Sequence, residues 1–581
     1  MKFLNYDRLY LNRSYMKLQS YTFNEFLMHI KEIKLHNFRS IKEQSFALSN
    51  YSLLIGANNS GKTNIIDALR IFYEKELKFS QNRDFPKFNH DDEESWIEIE
   101  FHLDNDEFSN LKDEYKLTNK TLRVRKYLKS PDTNRVKANQ SNIYAYEKNG
   151  LSNNLFYGAK NISEAKLGDV IYIPEVTTAD EYIKLSGPSA FRDLLEFVVK
   201  KVIKNSSAFE GLSKSFEDFN TQFREEASKE SISLQTLIKD IDNEIKDWGT
   251  SFGVDINQIR PEEIIKNLVT PYLEDKNLKD QKLDLTSFGQ GLQRHFIYTL
   301  VKLSTKYKDT STKKEKKEFA PNFTLVLFEE PEAFLHPAQQ EILNINLKKL
   351  SSEPSQQILI STHSSHFVSK NVDDIHSILK LSKDGPETKI FQIDRSTLDE
   401  ILKENKELKT ILGEAPTEKD IDLESIRYCL CLDPDRCCAF FADNVLICEG
   451  LSEKALIDTF IKESKIIPKN SKTYILNAAG KYDIHRYMNL FGKLGVTHSV
   501  LFDGDNNKDR HKKINDFIQK NGNAFTLKLH QFPGELEDFL EITKESDRHK
   551  KPLNVMWHYR NNQIPPSKVH DLIKIIENLV G

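Results

Sequence analysis

Eight residues, Gly56-Ala57-Asn58-Asn59-Ser60-Gly61-Lys62-Thr63, combine glycines, a lysine and a hydroxyl at the spacing that holds a nucleotide phosphate. Gly56 and Gly61 let the backbone wrap phosphate oxygens, with N–H groups from Asn58, Asn59 and Ser60 turned inward. Lys62 is placed to reach the β- and γ-phosphates of ATP, and Thr63 to hold Mg²⁺ through its hydroxyl. Three later stretches complete such a site. Phe323 to Pro331 (F-T-L-V-L-F-E-E-P) is an apolar run ending in two carboxylates, in the manner of a Walker B strand. Glu329 would help hold Mg²⁺, and Glu330 would orient or deprotonate the attacking water. Ile358 to His363 (I-L-I-S-T-H) is another apolar run, and its terminal His363 can contact a γ-phosphate. In Ser287-Phe288-Gly289-Gln290-Gly291, Ser287 and Gly289 open a helix whose N-terminus suits a phosphate.

A second group of carboxylates follows far along the chain. Asn444 to Cys448 runs into Glu449-Gly450, Glu453 lies on the next helix, Val500 to Phe502 runs into Asp503-Gly504-Asp505, and Glu537 sits in Pro533 to Asp538. Carboxylates at the C-terminal ends of parallel strands converge on one sheet edge. Such hard oxygen ligands suit Mg²⁺ or Mn²⁺. Glu449, Asp503 and Asp505 form one ligand set, with Glu453 and Glu537 able to reach a second ion, as two-metal phosphodiester chemistry requires. Lys508, Arg510, Lys512 and Lys513 follow at once. They read either as a cationic contact for a DNA backbone or as a solvated loop.

The remaining composition narrows the reading. The chain has 581 residues, enough for two to four domains, and a formal net charge of −4, so a nucleic-acid partner must be met by local basic patches. No apolar run is long enough for a membrane span and no signal-peptide pattern opens the chain, which makes the cytoplasm the expected location. Cys429, Cys431, Cys437, Cys438 and Cys448 are too sparse for a disulfide framework. Their C-x-C-x₅-C-C spacing fits no familiar zinc pattern, so buried thiols or incidental cysteines are expected.

Periodicity supplies the elements that position these residues. Ile33 to Ser40 alternates as a half-buried strand with Ser45 to Leu48 as its hairpin mate, and Tyr51 to Ile55 leads into the phosphate loop. Trp96 to Leu103 and Thr121 to Leu128 add an antiparallel β layer. Arg123, Arg125, Lys126 and Lys129 give it a basic face, read as solvated in preference to phosphate-binding. Val170 to Pro174 returns to the core. Pro188 to Trp248 is helical, an arm or a dimerisation element, and Thr310 to Glu318 is a charged loop. Lys370 to about Phe440 has few landmarks. The expected α/β organisation is an extension at 1–27, an ATPase first part at 28–185, a helical insertion at 186–270, an ATPase second part at 271–395, a connector at 396–440 and a second α/β domain at 441–581.

The N-F-R-S strand, the S-F-G-Q-G stretch and E-E-P-E-A-F-L-H-P resemble the ABC-type ATPases of the SMC/Rad50 and RecF branch. That resemblance implies that Ser287 of one head acts on ATP held by another, so ATP would drive homodimerisation or a higher homo-oligomer such as a tetramer. Gln81 is the nearest candidate for the glutamine loop of that branch. The C-terminal carboxylates look like a TOPRIM domain. The full order, with F-F-A-D-N-V-L-I-C-E-G-L-S-E-K and L-E-D-F-L, resembles the OLD (overcoming lysogenisation defect) family and the Gabija nuclease subunit over residues 28–581. The resemblance implies metal-dependent DNA cleavage controlled by ATP, a role in antiphage defence, a helicase-like partner, and a basic residue near the second metal, for which Lys551 and Lys568 are the candidates. Cys448 stands where relatives carry an aliphatic residue. The alternatives are an SMC-like DNA clamp with a non-catalytic TOPRIM and, ranked last, a topoisomerase- or primase-like enzyme.

Overall fold

The computed structural model describes residues 27–175, parts of 210–309, and most of 319–580. Residues 1–26 of the expected extension, most of the helical insertion, the charged loop at 310–318, Cys429 and Lys508 lie outside the described residues. The chain divides into two compact units, Met1–Glu175 with Lys316–Gly581, and Val176–Glu315. Among the described residues no helix is long and apolar enough to cross a membrane.

Among the described residues the first unit contains three sheets. An antiparallel sheet is built from β1 (His29–Phe38), β2 (Ile41–Ala47), β4 (Ser95–His102), β5 (Thr121–Lys129), β6 (Ile143–Glu147) and β7 (Gly150–Leu155), in the order β2-β1-β4-β5-β6-β7. The ATPase sheet is built from β3 (Tyr51–Ile55), β8 (Asp169–Ile173), β11 (Thr324–Glu329), β12 (Gln356–Ser361), β13 (Ile378–Asp384) and β14 (Glu387–Gln392), in the order β14-β13-β3-β12-β11-β8. All its pairings are parallel except β13 with β14. Continuous apolar sequence such as Y-S-L-L-I suits a strand covered on both faces, and β3 is buried at every residue. A four-stranded parallel sheet, β16-β15-β17-β18, follows from β15 (Asn444–Cys448), β16 (Thr473–Asn477), β17 (His498–Phe502) and β18 (Thr526–Gln531).

The second unit holds the helices Leu234–Ile245 and Gln290–Asp309 and a short hairpin, β9 (Leu273–Glu274) with β10 (Lys282–Leu283).

Two readings of the β strands are corrected. The basic face of β5 is not a free cationic surface: Arg125 donates to Glu98 at 2.7 Å, Arg123 Nε to Glu100 at 2.9 Å, and Lys129 pairs with Glu93. Lys126 lies on the opposite face, buried, donating to Phe72 O at 3.1 Å and Glu74 at 2.7 Å. The period-2 pattern of β4 pairs Glu98 and Glu100 with those arginines while Ile97, Ile99 and Phe101 enter the core. Second, the sparse stretch after Lys370 contains β13 and β14, which extend the ATPase sheet beside the phosphate-loop strand. Cys437 and Cys448 are buried free thiols, Cys438 is a half-buried free thiol, and Cys431 is half-buried.

Candidate active sites

The loop Gly56–Gly61 leaves β3 and enters the helix Lys62–Phe72. Gly56 (φ 148°) and Gly61 (φ 106°) lie in the left-handed region, where glycine is strain-free. A Cβ on Gly61 would stand 2.5 Å from Thr388 Oγ1, so β14 presses directly on the loop. Thr388 Oγ1 also donates to Ser60 O at 2.9 Å and bonds Ser40 Oγ at 2.7 Å. Arg39, at the β1–β2 turn, donates to Asp67 and Asp84 at 2.7 and 2.9 Å and so ties the turn to the phosphate-loop helix. Asn58 and Asn59 are exposed, Ser60 is buried, and Lys62 Nζ donates to Gly56 O and Ala57 O at 3.0 and 3.1 Å.

Glu329 ends β11 opposite this helix. It accepts hydrogen bonds from the Thr63 hydroxyl and, at 2.6 Å, from Tyr172 on neighbouring β8. Burial pushes its pKa upward. Glu330 follows at φ 42°, 3.4 Å from His363 Nε2. Burial, with the charges of Glu175 and Glu332 beside it, raises Glu330 to about 7. That value suits a base working near neutral pH. Buried Glu332 accepts from Thr362 Oγ1 at 2.7 Å and from His363 N at 2.6 Å, and so fixes the strand end that carries the histidine. Thr63, Glu329, Glu330, Lys62 and His363 are therefore gathered around one loop. Ser287 and Gly289 are exposed in the second unit, before the helix Gln290–Asp309. Gln81 is exposed at the start of a four-residue helix, Gln81–Asp84.

At the C-terminal edge of the parallel sheet, β15 delivers Glu449 and β17 delivers Asp503 and Asp505. One oxygen from each lies within 4.8 Å of the others. Asp503 N donates to Glu449 Oε2 at 3.1 Å. Burial, with Glu453, Glu449 and Asp505 close by, raises Asp503 to about 10; burial raises Glu449 to about 7 against the pull of Lys481. Burial also pushes Asp505 upward, but the Lys481 ammonium at 2.9 Å and His511 outweigh it and hold Asp505 below the usual carboxylate range. Asp503 Oδ1 is buried and has no hydrogen-bond partner among the described residues. A converging, oxygen-only donor set with such an orphan atom fits a divalent ion.

Glu453 is buried in the first turn of the helix Leu451–Lys462 and accepts from Gly450 N at 3.0 Å. Glu537, also buried, has no hydrogen-bond partner at Oε1 among the described residues. Both are pushed upward in pKa, first by burial. Lys551 donates to Glu535 at 2.7 Å and faces the charges of Glu537 and Asp503. Lys568 instead pairs with Glu541 at 3.2 Å. Three residues at these sites escaped sequence reasoning: Lys481, Glu332 and Tyr172. Glu332, within E-E-P-E, and Tyr172, within the Val170–Pro174 run, stood inside stretches already marked by their pattern; Lys481 did not.

The two ends join through a short path. The helix Ser365–Ser369, just past His363, packs on the helix Pro434–Cys437, and Phe441 lies with its ring 6.1 Å from that of His363, three residues before β15.

Fold and sites together define a phosphate-loop ATPase domain followed by a TOPRIM domain. A family model described as "AAA ATPase domain" matches residues 28–368, and one described as "Overcoming lysogenization defect protein-like, TOPRIM domain" matches 440–505. The chain belongs to that AAA ATPase family and carries an OLD-like TOPRIM match beyond it. It is 23% identical to Old nuclease of Escherichia phage P2 over 82% of this chain and 77% of that protein. It is 24% identical to Endonuclease GajA of Bacillus cereus (strain VD045) over 84% and 76%. A solved SMC head, bound to the C-winged helix domain of ScpA, is similar with 15% identity and a TM-score of 0.36, over 64% of this chain and 99% of that one.

Proposed function

We propose that this chain is an ATP-regulated, divalent-metal-dependent DNA endonuclease that serves in defence against phage or foreign DNA. The observation that carries the reading is the triad Glu449, Asp503 and Asp505 on one sheet edge, in the same compact unit as the phosphate loop. These three residues would hold a Mg²⁺ or Mn²⁺ ion, with Glu453 and Glu537 available to a second. Bound metal supplies activated water and charge stabilisation on the phosphodiester. Lys551, directed toward the same acidic group, offsets charge on the phosphate or leaving oxygen; its facing of Asp503 and Glu537 favours it over Lys568.

At the head, Lys62 and the loop amides hold ATP phosphates, Thr63 and Glu329 hold the accompanying Mg²⁺, Glu330 accepts the proton of the attacking water, and His363 contacts the γ-phosphate. Ser287 and Gly289 act on ATP of a second copy, which makes a homodimer or higher homo-oligomer the working form. DNA is the substrate, and a helicase-like protein is the candidate partner. The expected compartment is the cytoplasm, and the domain limits are those expected from sequence.

The test is nicking of supercoiled plasmid with Mg²⁺ or Mn²⁺, with and without ATP. Wild type should yield open-circular or linear DNA, and Glu449→Ala and Asp503→Ala should not. Plasmid left intact under all these conditions, with any genetically linked partner also present, refutes the nuclease reading and favours a DNA clamp. Lys62→Ala with full ATP hydrolysis refutes the head assignment.

A further inference from the structure

Lys481 sits where a lysine is doubly costly. It opens the helix Lys481–Lys493, at the positive end of the helix dipole, and only 3% of it is exposed. The chain goes to some length to aim it there. Ala479 (φ 62°) and Gly480 (φ 140°) turn the backbone sharply between β16 and this helix. Asn477 Oδ1 accepts from Ala479 N at 2.8 Å, and Arg548 donates to Ala479 O. The ammonium ends 2.9 Å from Asp505 Oδ2 and 3.8 Å from Glu449 Oε2, two of the three triad carboxylates. An apolar side chain of similar length would avoid both costs, so packing alone does not account for this residue.

Once a divalent ion has displaced the Asp503 proton, three ionised carboxylates set against one ammonium would give a formal charge of −2, matched by that one ion. Like-charged carboxylates this close repel strongly in a partly dry site.

We infer that Lys481 is a positioning residue, a resident counter-cation that keeps Glu449 and Asp505 assembled before a divalent ion arrives and limits the triad to one such ion. This rests on the metal-site reading given above. Lys481 engages Oδ2 of Asp505 and leaves Oδ1 outside that ion pair. It makes the site a pre-formed, exchangeable one, whose folding does not depend on metal.

The test uses the full chain, stripped with EDTA and free of nucleotide, and follows thermal unfolding and calorimetric titration with Mn²⁺. Lys481→Met should melt below wild type without metal. Mn²⁺ should then raise its melting temperature by more than it raises that of wild type, and bind about tenfold tighter, because a nearby positive charge has gone. Lys481→Arg, which keeps the charge, should behave as wild type. Adding Glu449→Gln to Lys481→Met should abolish the extra shift. Lys481→Gln carries the same expectation at smaller size should the Met variant fail to fold. A Mn²⁺ shift in Lys481→Met equal to or smaller than in wild type overturns the inference, since a packing role lowers both states alike. Absence of any Mn²⁺ effect on wild type overturns the metal-site reading itself.

Discussion

Asp503→Asn offers a quantitative check on the electrostatics of the carboxylate edge. In the unfolded chain this carboxyl loses its proton near 3.8; in the folded, metal-free protein, burial beside Glu453, Glu449 and Asp505 holds the proton up to about 10. Between those values the folded state binds the extra proton, so metal-free stability falls as pH rises. One proton corresponds to about 1.4 kcal/mol per pH unit, hence about 2 kcal/mol between pH 7 and 8.5. Asparagine has no proton to retain, so its variant lacks this slope. The assay is hydrogen exchange of the β15 and β17 amides in EDTA, which reports opening of this sheet alone. The stability of Asp503→Asn relative to wild type should rise by about 2 kcal/mol from pH 7 to 8.5. Adding Mn²⁺ to wild type should reverse the slope, because a ligating carboxylate must be ionised. A difference between variant and wild type that stays constant or shrinks over this range refutes the placement of a proton on Asp503.

Three further outcomes are expected. Glu330, raised to about 7, must be ionised to serve as a base, so ATP hydrolysis should climb with pH through about 7 and level off above it; Glu330→Gln should lose about 10²- to 10⁴-fold in rate while still binding ATP. Gly61→Ala forces a left-handed alanine against Thr388 Oγ1 and should cost about 1–2 kcal/mol from the backbone alone, with loss of binding to a fluorescent ATP analogue; Thr388→Ala in the same chain should restore binding only in part, because the backbone strain persists. Phe441→Ala should leave ATP hydrolysis within about twofold, a small change in barrier, yet drive the ratio of plasmid nicking with and without ATP toward one; an unchanged ratio would show that the His363–Phe441 contact transmits nothing.

Much of the ATPase sheet was legible because its parallel strands are buried on both faces and therefore read as unbroken apolar runs, as in Y-S-L-L-I of β3 and L-V-L-F of β11. The carboxylates were legible for a related reason, since they terminate such runs. β13 and β14 were not, because I-L-K-L-S-K-D and E-T-K-I-F-Q mix lysines with apolar residues and carry no motif. Lys481 was invisible for a different cause. One lysine after A-A-G resembles any other, and the charges that give it meaning lie on β15 and beyond β17, brought near only by the fold. The arginines of β5 misled in the opposite direction, since the glutamates that neutralise them belong to the neighbouring strand.

The strand order of the ATPase sheet also dictates when the nucleotide site can exist during synthesis. β3 emerges early, but both of its neighbours, β12 and β13, and the Thr388 that braces Ser60, come from residues 356–392. A growing chain must therefore carry an unflanked phosphate loop until some three hundred further residues have left the ribosome, and close that long loop before β3 is paired. The parallel sheet of 444–531 has no such debt to the N-terminus and can assemble as it is made. A fragment cut at residue 368, where the ATPase family match ends, would keep every motif of the head and still lack the wall that shapes it.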